Sequence, residues 1–280
     1  MKIGLVLEGG AMRGMFTAGV LDVFLAEGIS VDGIVSVSAG ALFGVNFPAG
    51  QAGRALRYNQ RFLGDKRYIS LQSWLRTGNI VNKDFAFYQV PFSLDPFDNQ
   101  AFQQSAIDFY ATLTNVETGR AEYIKIEDVF AQMEALRATS ALPYLSQIIE
   151  YQGKKYLDGS LADGIPFAKA QALGYDKLIV VLTRPLDYRK KPSHTWLSRM
   201  VYRQYPQLLA TMANRYRHYN QQVEEIIRLN QAGELFVIRP SQTLPIRRLE
   251  KDPQKIQAMY ELGVSDARNA LIALKQYLTD

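Results

Sequence analysis

The first 45 residues contain two short apolar runs, and each run leads through a small-residue turn into a helical pattern. The sequence predicts strands at residues 2–7 and 33–37, an amphipathic helix at 15–27, and a second helix that begins at Ala39. Such β-loop-α-β-turn-α alternation is typical of an α/β fold with a mostly parallel sheet sandwiched by helices. Because open α/β sheets place their sites at the carboxyl ends of neighbouring strands, we expect the two loops after these strands to meet.

The rest of the chain continues this pattern with one long interruption. Residues 50–104 loosen into aromatic and polar segments, which we interpret as an insertion or lid over the sheet. Further predicted elements are strands at 123–126, 144–151, 177–182 and 235–239, a helix at 127–133, helical spacing over 196–230 and a final helix over 253–278. We therefore expect a catalytic domain over 1–185 and a helix-rich C-terminal region over 186–280 packed on the same core.

Composition excludes several kinds of chemistry. The 280 residues include no cysteine, so disulfides, thiolate metal sites and thiol nucleophiles are excluded together. No run approaches the roughly 18 apolar residues of a membrane span, and the apolar start of the chain is shorter than a signal-peptide core. We therefore expect a cytoplasmic protein.

Positive charge is concentrated between residues 184 and 220. The net charge of the chain is +5, and in this stretch only Asp187 opposes eight basic residues: Arg184, Arg189, Lys190, Lys191, Arg199, Arg203, Arg215 and Arg217. A solvated helix face and peripheral contact with an anionic membrane at its inner face both fit this pattern. No recognisable nucleic-acid motif accompanies the charge, so we expect no nucleic-acid partner.

A candidate nucleophile lies at the second strand-to-helix turn. The segment from Ser36 to Gly40 places Ser38 between small residues, as a nucleophile elbow requires. The helix that begins at Ala39 would direct its free N–H groups toward an oxyanion. Ser36 occupies the first position of the pattern, where glycine is usual, and it lacks glycine neighbours of its own.

The loop between the first strand and the first helix can bind an anion through its backbone. It reads Glu8, Gly9, Gly10, Ala11, Met12, Arg13 and Gly14. Successive N–H groups in such a loop form an anion-binding nest, and Arg13 adds a positive charge. A Walker A loop would need Lys and Ser or Thr after Gly14, and a dinucleotide loop would need a different glycine spacing. A tight connection without a binding role remains the alternative.

A downstream aspartate and two histidines are the candidate bases. Asp158 ends a short predicted strand and is followed by Gly159, which by itself is typical of an ordinary turn. His194 and His218 both lie in the basic, helix-rich part of the chain. A Ser-His-Asp triad stays possible, because triads are recognised by geometry rather than by chain order.

Together, these blocks resemble the patatin-like phospholipase family. The chain has a Gly-Gly-x-x-Arg-Gly loop after the first strand, a serine elbow some two dozen residues later, and a downstream Asp-Gly, in the family's order and spacing. It also has the stretch 137–143, of a kind that the family usually carries before its aspartate. The blocks cover residues 2–182 and are similar to a bacterial-type cytoplasmic member.

The resemblance implies a lipid acyl hydrolase with a Ser-Asp dyad. Ser38 would be the nucleophile, Asp158 the base, and the loop that contains Arg13 the oxyanion loop, with no metal or organic cofactor. The substrate would be a lipid or another acyl ester. Eight aromatic residues could line an acyl groove or, alternatively, pack in the core and lid: Phe85, Phe87, Tyr88, Phe92, Phe97, Phe102, Phe109 and Tyr110. Four positions depart from the family pattern, which usually has Asp, Gly, Gly, and Gly or Ala where this chain has Glu8, Ala11, Ser36 and Ser160.

Two other functions fit the same residues. A small-ester esterase would use His194 or His218 as the base of a triad. A catalytically silent lipid-binding regulator would keep the fold without the reaction. The acyl position that is cut and the oligomeric state do not follow from the sequence.

Overall fold

The computed structural model describes residues 1–193 and 196–279. The strands are β1 (Ile3–Leu7), β2 (Gly33–Val37), β3 (Asp108–Asn115), β4 (Ala121–Ile126), β5 (Ile149–Tyr151), β6 (Lys154–Asp158), β7 (Lys177–Val181) and β8 (Phe236–Ile238). The helices are α1 (Met15–Ala26), α2 (Ala39–Gly44), α3 (Arg54–Phe62), α4 (Leu71–Thr77), α5 (Asn99–Gln104), α6 (Met133–Thr139), α7 (Phe167–Ala172), α8 (Trp196–Val201), α9 (Pro206–Gln231) and α10 (Pro253–Thr279). Among the described residues, no helix is long and apolar enough to cross a membrane.

One mostly parallel sheet organises the fold, as the sequence predicts. Its strands run in the order β5-β6-β3-β2-β1-β7-β8, and β4 pairs with β3. The β1, β2, β3, β7 and β8 pairings are parallel, whereas β4, β5 and β6 pair antiparallel. The loops after β1 and β2 therefore lie side by side at one edge of the sheet.

Helices cover both faces of the sheet, which explains why the central strand β1 is apolar throughout. Along β1, Leu5 and Leu7 face one core, while Val6 faces the other. Helices α1, α2, α6 and α10 contribute to the first core, and α7 and α9 cover the second. The sheet thus forms the middle layer of three.

The two long C-terminal helices pack directly on this α/β unit. Proline at the first turn starts both α9 and α10, where its missing N–H costs nothing. Helix α10 lies against α1 at a crossing with glycine on each side. A Cβ added at Gly19 would lie 2.2 Å from the carbonyl oxygen of Tyr260, and one at Gly263 would lie 2.1 Å from that of Phe16.

Three elements differ from the sequence predictions. The helix predicted at 127–133 is wrong, because the Gln132 side chain accepts hydrogen bonds from the Glu127 and Asp128 N–H groups and delays α6 until Met133. The strand predicted at 144–151 is reduced to Ile149–Tyr151, since Tyr144 has a φ of 66° and the Leu145 and Ser146 N–H groups close a turn on the Leu142 carbonyl. Strand β3 was not predicted, although it lies next to β2 in the sheet.

Residues 50–104 form short helices beside the sheet. Besides α3, α4 and α5, a wide helical stretch runs from Asp84 to Leu94 and contains Pro91. Buried side chains of this segment, including Tyr58, Phe85 and Phe97, belong to the same core as α1 and α2. Its role as a lid stays a prediction.

Candidate active site

Ser38 occupies a strained turn between β2 and α2. Its backbone has φ 54° and ψ −123°, an unfavourable conformation for a residue with a Cβ, and α2 begins at the next residue. The Ser38 carbonyl accepts hydrogen bonds from the N–H groups of Ala41 and Leu42, both at 3.0 Å. The turn therefore has the geometry of a nucleophile elbow.

The hydroxyl of Ser38 points at a carboxylate. Ser38 Oγ donates to Asp158 Oδ2 at 2.7 Å, and Asp158 is 1% exposed. The second oxygen, Asp158 Oδ1, accepts the Ser160 N–H at 2.8 Å, which fixes the carboxylate plane. The structure thus brings together the two side chains that the family resemblance pairs.

The stretch 137–143 accepts hydrogen bonds from the backbone N–H groups of both Ser38 and Asp158. Thr139 Oγ1 accepts the Ser38 N–H at 2.9 Å and donates to the Thr112 carbonyl at 2.6 Å. The carbonyl of Ala141 accepts the Asp158 N–H at 2.9 Å. Sequence reasoning identified this stretch by resemblance but assigned no role to Thr139, which supports the turn.

The glycine loop after β1 lies against Ser38, and its amides differ in their partners. The Gly9, Met12 and Arg13 N–H groups donate to backbone carbonyls. Within residues 1–193 and 196–279, the Gly10 and Ala11 N–H groups have no acceptor. Ala11 has a φ of 49°, so the chain turns sharply there beside the Ser38 side chain. The N–H groups available to bind an anion are therefore those of Gly10 and Ala11, which is fewer than the whole predicted loop would supply.

Close packing explains the small residues around the elbow. A Cβ at Gly40 would lie 2.7 Å from the Leu7 carbonyl oxygen, and one at Gly14 would lie 2.9 Å from the Ala39 Cβ. Ser36 Oγ is buried and donates to the Tyr110 carbonyl at 2.8 Å on the neighbouring strand. Ser36 is thus a sheet residue that faces away from the site.

Two departures from the family pattern have partners on α9. Glu8, which replaces the usual aspartate, accepts a 2.6 Å hydrogen bond from the hydroxyl of Tyr219. Ser160, which replaces glycine or alanine, accepts a hydrogen bond at 2.8 Å from Arg215 Nη2, while Arg215 Nε donates to the Ser160 carbonyl at 2.7 Å. Arg215 and Tyr219 are one helical turn apart on α9. The helix therefore contacts the glycine loop through Glu8 and the segment after Asp158 through Ser160.

An apolar cavity of about 150 Å³ opens on one side of Ser38. Its lining includes Met12, Leu42, Val90, Met133 and Leu136. Of the aromatic residues that the sequence suggests for an acyl groove, Phe87 and Phe97 line this cavity. The cavity has the chemistry to hold a hydrocarbon chain.

A smaller, basic cavity of about 50 Å³ lies on the other side. It shares Ala11, Ser38, Leu142 and Arg248 with the apolar cavity. The cations on its wall are Arg13, Arg184, Lys190, Arg215 and Arg248. The predicted basic stretch therefore has residues of two kinds. Arg184, Lys190 and Arg215 line the basic cavity. The exposed ones are Lys191, Arg199, Arg203 and Arg217.

Of the two candidate histidines, His218 lies in the described part of the chain and does not join the site there. His218 is exposed on α9 and lines neither cavity. His194 lies outside the described residues.

Comparison with known proteins identifies two conserved units in this chain. A model of the family described as patatin-like phospholipase matches residues 5–170, and a domain of unknown function, DUF6363, matches residues 205–279. The second unit includes α9 and α10.

Whole relatives and one solved structure are also similar. The uncharacterized protein YjjU of Escherichia coli strain K12 is 28% identical over 293 residues, which cover 100% of this chain and 80% of YjjU. Lysophospholipase nte1 of Emericella nidulans is 28% identical over 196 residues, covering 66% of this chain but only 12% of that protein. VipD from Legionella pneumophila aligns with a TM-score of 0.46 and 12% identity, covering 97% of this chain and 67% of VipD.

The family model covers more than half of the chain and includes Ser38, Asp158 and the glycine loop. The chain therefore belongs to the patatin-like phospholipase family.

Proposed function

We propose that this protein is a serine hydrolase that cleaves a carboxylic ester of a phospholipid or lysophospholipid, with Ser38 as nucleophile and Asp158 as base. Family membership implies a lipid hydrolase, and the similarity to fungal lysophospholipases points to the same substrate class. The observation that carries the proposal is the 2.7 Å hydrogen bond from Ser38 Oγ to Asp158 Oδ2 at the junction of an apolar and a basic cavity.

The reaction proceeds in two steps, acylation of Ser38 and hydrolysis of the acyl-enzyme. Ser38 Oγ attacks the ester carbonyl carbon while its proton passes to Asp158, and the C–O bond to the alcohol then breaks as Asp158 returns that proton to the leaving oxygen. Water attacks the resulting acyl-enzyme and gives one proton to Asp158. The bond to Ser38 breaks, Ser38 regains that proton, and the fatty acid leaves.

The free N–H groups of Gly10 and Ala11 are the proposed oxyanion donors, with Arg13 nearby as a cation. They are backbone groups in a fixed loop, so they need little reorganisation when the carbonyl oxygen becomes negative. Losing one such donor typically costs on the order of 100- to 1,000-fold in turnover. The apolar cavity would hold the acyl chain, because burial of each CH₂ contributes about 0.8 kcal/mol.

Labelling with a fluorophosphonate probe tests the nucleophile. We expect wild type to label and Ser38→Ala to remain folded without labelling or hydrolysing esters, since only one oxygen is removed. If folded Ser38→Ala keeps more than a few per cent of wild-type activity, Ser38 is not the nucleophile. If no serine labels while lipid still binds, the protein is the silent lipid-binding regulator.

A pair of variants separates the dyad from the triad esterase. Asp158→Asn keeps the side-chain size but removes the proton acceptor, so the dyad requires a loss of about 1,000-fold or more. The double variant His194→Gln with His218→Gln should keep most of its activity, because His218 is exposed and lines neither cavity. A folded but inactive histidine variant beside an active Asp158→Asn would establish the triad.

Peripheral binding to an anionic membrane is a second part of the proposal. Helices α4 and α8 expose Leu71, Leu75, Trp196, Met200 and Val201, with exposed fractions from 49% to 72%. Both helices carry exposed arginine, at Arg76 and Arg199, and neither contains an acidic residue. An apolar surface with positive charge and no negative charge suits the interface of an anionic bilayer.

The same two helices are tied to the loop beside the candidate dyad. The Tyr144 carbonyl accepts a 2.9 Å hydrogen bond from Trp74 Nε1 on α4, and the Tyr144 hydroxyl is 2.5 Å from Ser198 Oγ on α8. Leu142, two residues earlier, lines both cavities. Membrane contact through α4 and α8 would therefore place lipid close to the proposed acyl site.

A further inference from the structure

The basic cavity beside Ser38 has an unusual balance of charges. Five cationic side chains line it, from Arg13, Arg184, Lys190, Arg215 and Arg248, against the two carboxylates of Glu8 and Asp158. The walls thus carry a formal excess of three positive charges next to the candidate nucleophile.

Both carboxylates are already engaged elsewhere. Glu8 accepts from the Tyr219 hydroxyl and from the Thr183 N–H and hydroxyl. Asp158 accepts from Ser38 and Ser160. Among residues 1–193 and 196–279, none of the five cations lies within 4.0 Å of a carboxylate oxygen as an ion pair. Among these residues, the positive charge in the cavity therefore has no ion-pair partner within 4.0 Å.

Several of these cations are held in place. Arg215 is fixed by two hydrogen bonds to Ser160. The Lys190 ammonium lies 3.8 Å from the ring centroid of Tyr219, and the Arg184 guanidinium lies 4.0 Å from that of Tyr188. Arg184, Lys190 and Arg215 therefore lose little further entropy when they bind an anion. Arg13 differs, because its buried Nε has no hydrogen-bond partner among the described residues and can donate to an anion.

The cations also disfavour one another's charge. Burial, and then the neighbouring Arg215, lowers the pKa of Lys190 to about 7. Burial, and then Arg184, lowers the pKa of Arg13 to about 10. An anion between these groups would relieve the repulsion and raise both pKa values.

We propose that this cavity binds the phosphate of an acyl ester whose headgroup carries net negative charge, which gives the proposed hydrolase a preference for anionic over zwitterionic phospholipids. The inference rests on the proposed function, because Ser38 joins this cavity to the apolar one. A phosphate offers several acceptor oxygens to arginine and lysine donors around it.

The cavity is poorly suited to a zwitterionic headgroup. A quaternary ammonium usually binds on aromatic faces or near free carboxylates. Here the rings of Tyr188 and Tyr219 are already covered by Arg184 and Lys190, and Glu8 already accepts three hydrogen bonds. Selectivity would therefore arise both from attraction of the phosphate and from repulsion of a second cation.

Four of the five cations come from outside the segment that matches the family model. Arg184 and Lys190 lie in the loop after β7, Arg215 lies on α9, and Arg248 precedes α10, whereas only Arg13 falls within residues 5–170. The headgroup preference is thus a property of the C-terminal part of this chain.

Three esters that share one acyl chain and differ in headgroup test the proposal. They are presented in micelles of a non-ionic detergent. The substrates are lysophosphatidic acid, lysophosphatidylcholine and monoacylglycerol. We expect wild-type kcat/KM for lysophosphatidic acid to exceed that for the other two by at least about tenfold, as a few charge-assisted hydrogen bonds allow. Equal or faster cleavage of the neutral and zwitterionic esters would overturn the headgroup site but leave the hydrolase intact.

Matched variants then locate the preference. The double variant Arg184→Gln with Lys190→Gln should reduce the ratio of anionic to neutral turnover by about tenfold or more. The control, Lys191→Gln with Arg217→Gln, removes the same charge from exposed positions and should keep the wild-type ratio. An equal reduction of the ratio in both variants would show that net charge, rather than the cavity, sets the preference. A wild-type ratio in both variants would overturn the headgroup site.

If no ester is hydrolysed and Ser38 does not label, the proposed hydrolase is refuted. A binding measurement still tests the phosphate site in that case. Glycerol 3-phosphate and inorganic phosphate are titrated into the Ser38→Ala protein, and its melting temperature is followed. Stabilisation by glycerol 3-phosphate that is lost in Arg184→Gln with Lys190→Gln supports the phosphate site, and no stabilisation refutes it. Stabilisation by phosphate in an enzyme without headgroup preference would reassign the cavity to free phosphate and overturn the proposal.

Discussion

Thr139 shows how one hydroxyl can support the strained turn that carries the proposed nucleophile. It accepts the Ser38 N–H and donates to the Thr112 carbonyl, so it joins the elbow after β2 to the adjacent strand β3. Both of its partners are buried, and neither can be satisfied by water without rearrangement. The unfavourable conformation of Ser38 is thus maintained by its surroundings.

Thr139→Val should reduce turnover without unfolding the protein. The change keeps the side-chain shape but leaves the buried Ser38 N–H without an acceptor, at a cost of about 1–3 kcal/mol. We expect kcat to fall by roughly 10- to 100-fold, with a smaller change in KM. Thr139→Ser keeps the hydroxyl and should restore most of the rate; equal losses in both variants would argue for a packing role.

Lys190 should make stability depend on pH. Burial lowers its pKa to about 7 in the folded protein, whereas the unfolded chain keeps the ordinary value of 10.5. Between these values the unfolded state binds more protons, so this group makes folding more favourable as pH rises from about 7 to 10. Its penalty is complete below pH 7.

Lys190→Met should therefore stabilise the protein most at low pH. We expect a gain on the order of 1–2 kcal/mol at pH 6.5 that shrinks by pH 9.5, measured by urea denaturation. Lys191→Met, at an exposed position, serves as the control and should show no such pH dependence. A gain that is constant with pH would contradict the lowered pKa.

Ser38, Asp158 and the glycine loop could be predicted because each follows a strand in a short, recognisable pattern. Arg215 and Tyr219 could not, since they lie on a long helix where basic and aromatic residues are common. Their contacts to Ser160 and Glu8 connect positions 55 and 211 residues apart. Only the folded chain shows that two departures from the family pattern have partners on one helix.

At the scale of elements, periodicity predicted the strands that are apolar on both faces and failed for β3. Thr112, Thr114 and Asn115 are buried in that strand despite their polarity. Two of their groups bond to the site: Thr114 Oγ1 donates to the Asp158 carbonyl at 2.9 Å, and the Thr112 carbonyl accepts from Thr139, whereas Thr112 Oγ1 has no partner among the described residues. Polar residues that support the site thus concealed a strand next to it.

Gly263→Ala tests the packing of α10 on α1. The new Cβ would lie 2.1 Å from the Phe16 carbonyl oxygen, which is backbone and cannot move without displacing a helix. We expect a loss of about 1–3 kcal/mol, although alanine favours helices. Gly64→Ala is the matched control, because a Cβ there meets nothing within 4 Å. An unfolding free energy that is unchanged for Gly263→Ala would mean that the two helices are farther apart.

At the scale of the whole molecule, the C-terminal region supplies more than a surface extension. Helix α9 covers one face of the sheet and contacts Ser160 and Glu8, while the segment before α10 brings Arg248 to both cavities. Its inward charges face the proposed headgroup site, and α8, near its start, presents exposed charge with exposed apolar residues. The proposed membrane binding and the proposed selection of a headgroup would therefore involve different cations.

That separation predicts how vesicle binding responds to mutation. Trp196→Ser with Met200→Ser should weaken binding to every vesicle, because it removes exposed apolar area from α8. Arg199→Gln with Arg203→Gln should weaken binding to anionic vesicles alone, by about tenfold or more, since each cation near such a surface contributes about 1 kcal/mol.

Cosedimentation with phosphatidylglycerol and phosphatidylcholine vesicles at low and high salt measures both effects. Wild-type binding to anionic vesicles should fall as salt rises, because salt screens exposed charges. Ile272→Ser on α10, where the side chain is 85% exposed, is the control for loss of apolar surface and should bind like wild type. Binding that ignores lipid charge and salt, or an Ile272→Ser variant as weak as the α8 variant, would show that α4 and α8 are not the membrane surface. The headgroup preference in detergent micelles should survive both double substitutions, since neither alters the basic cavity.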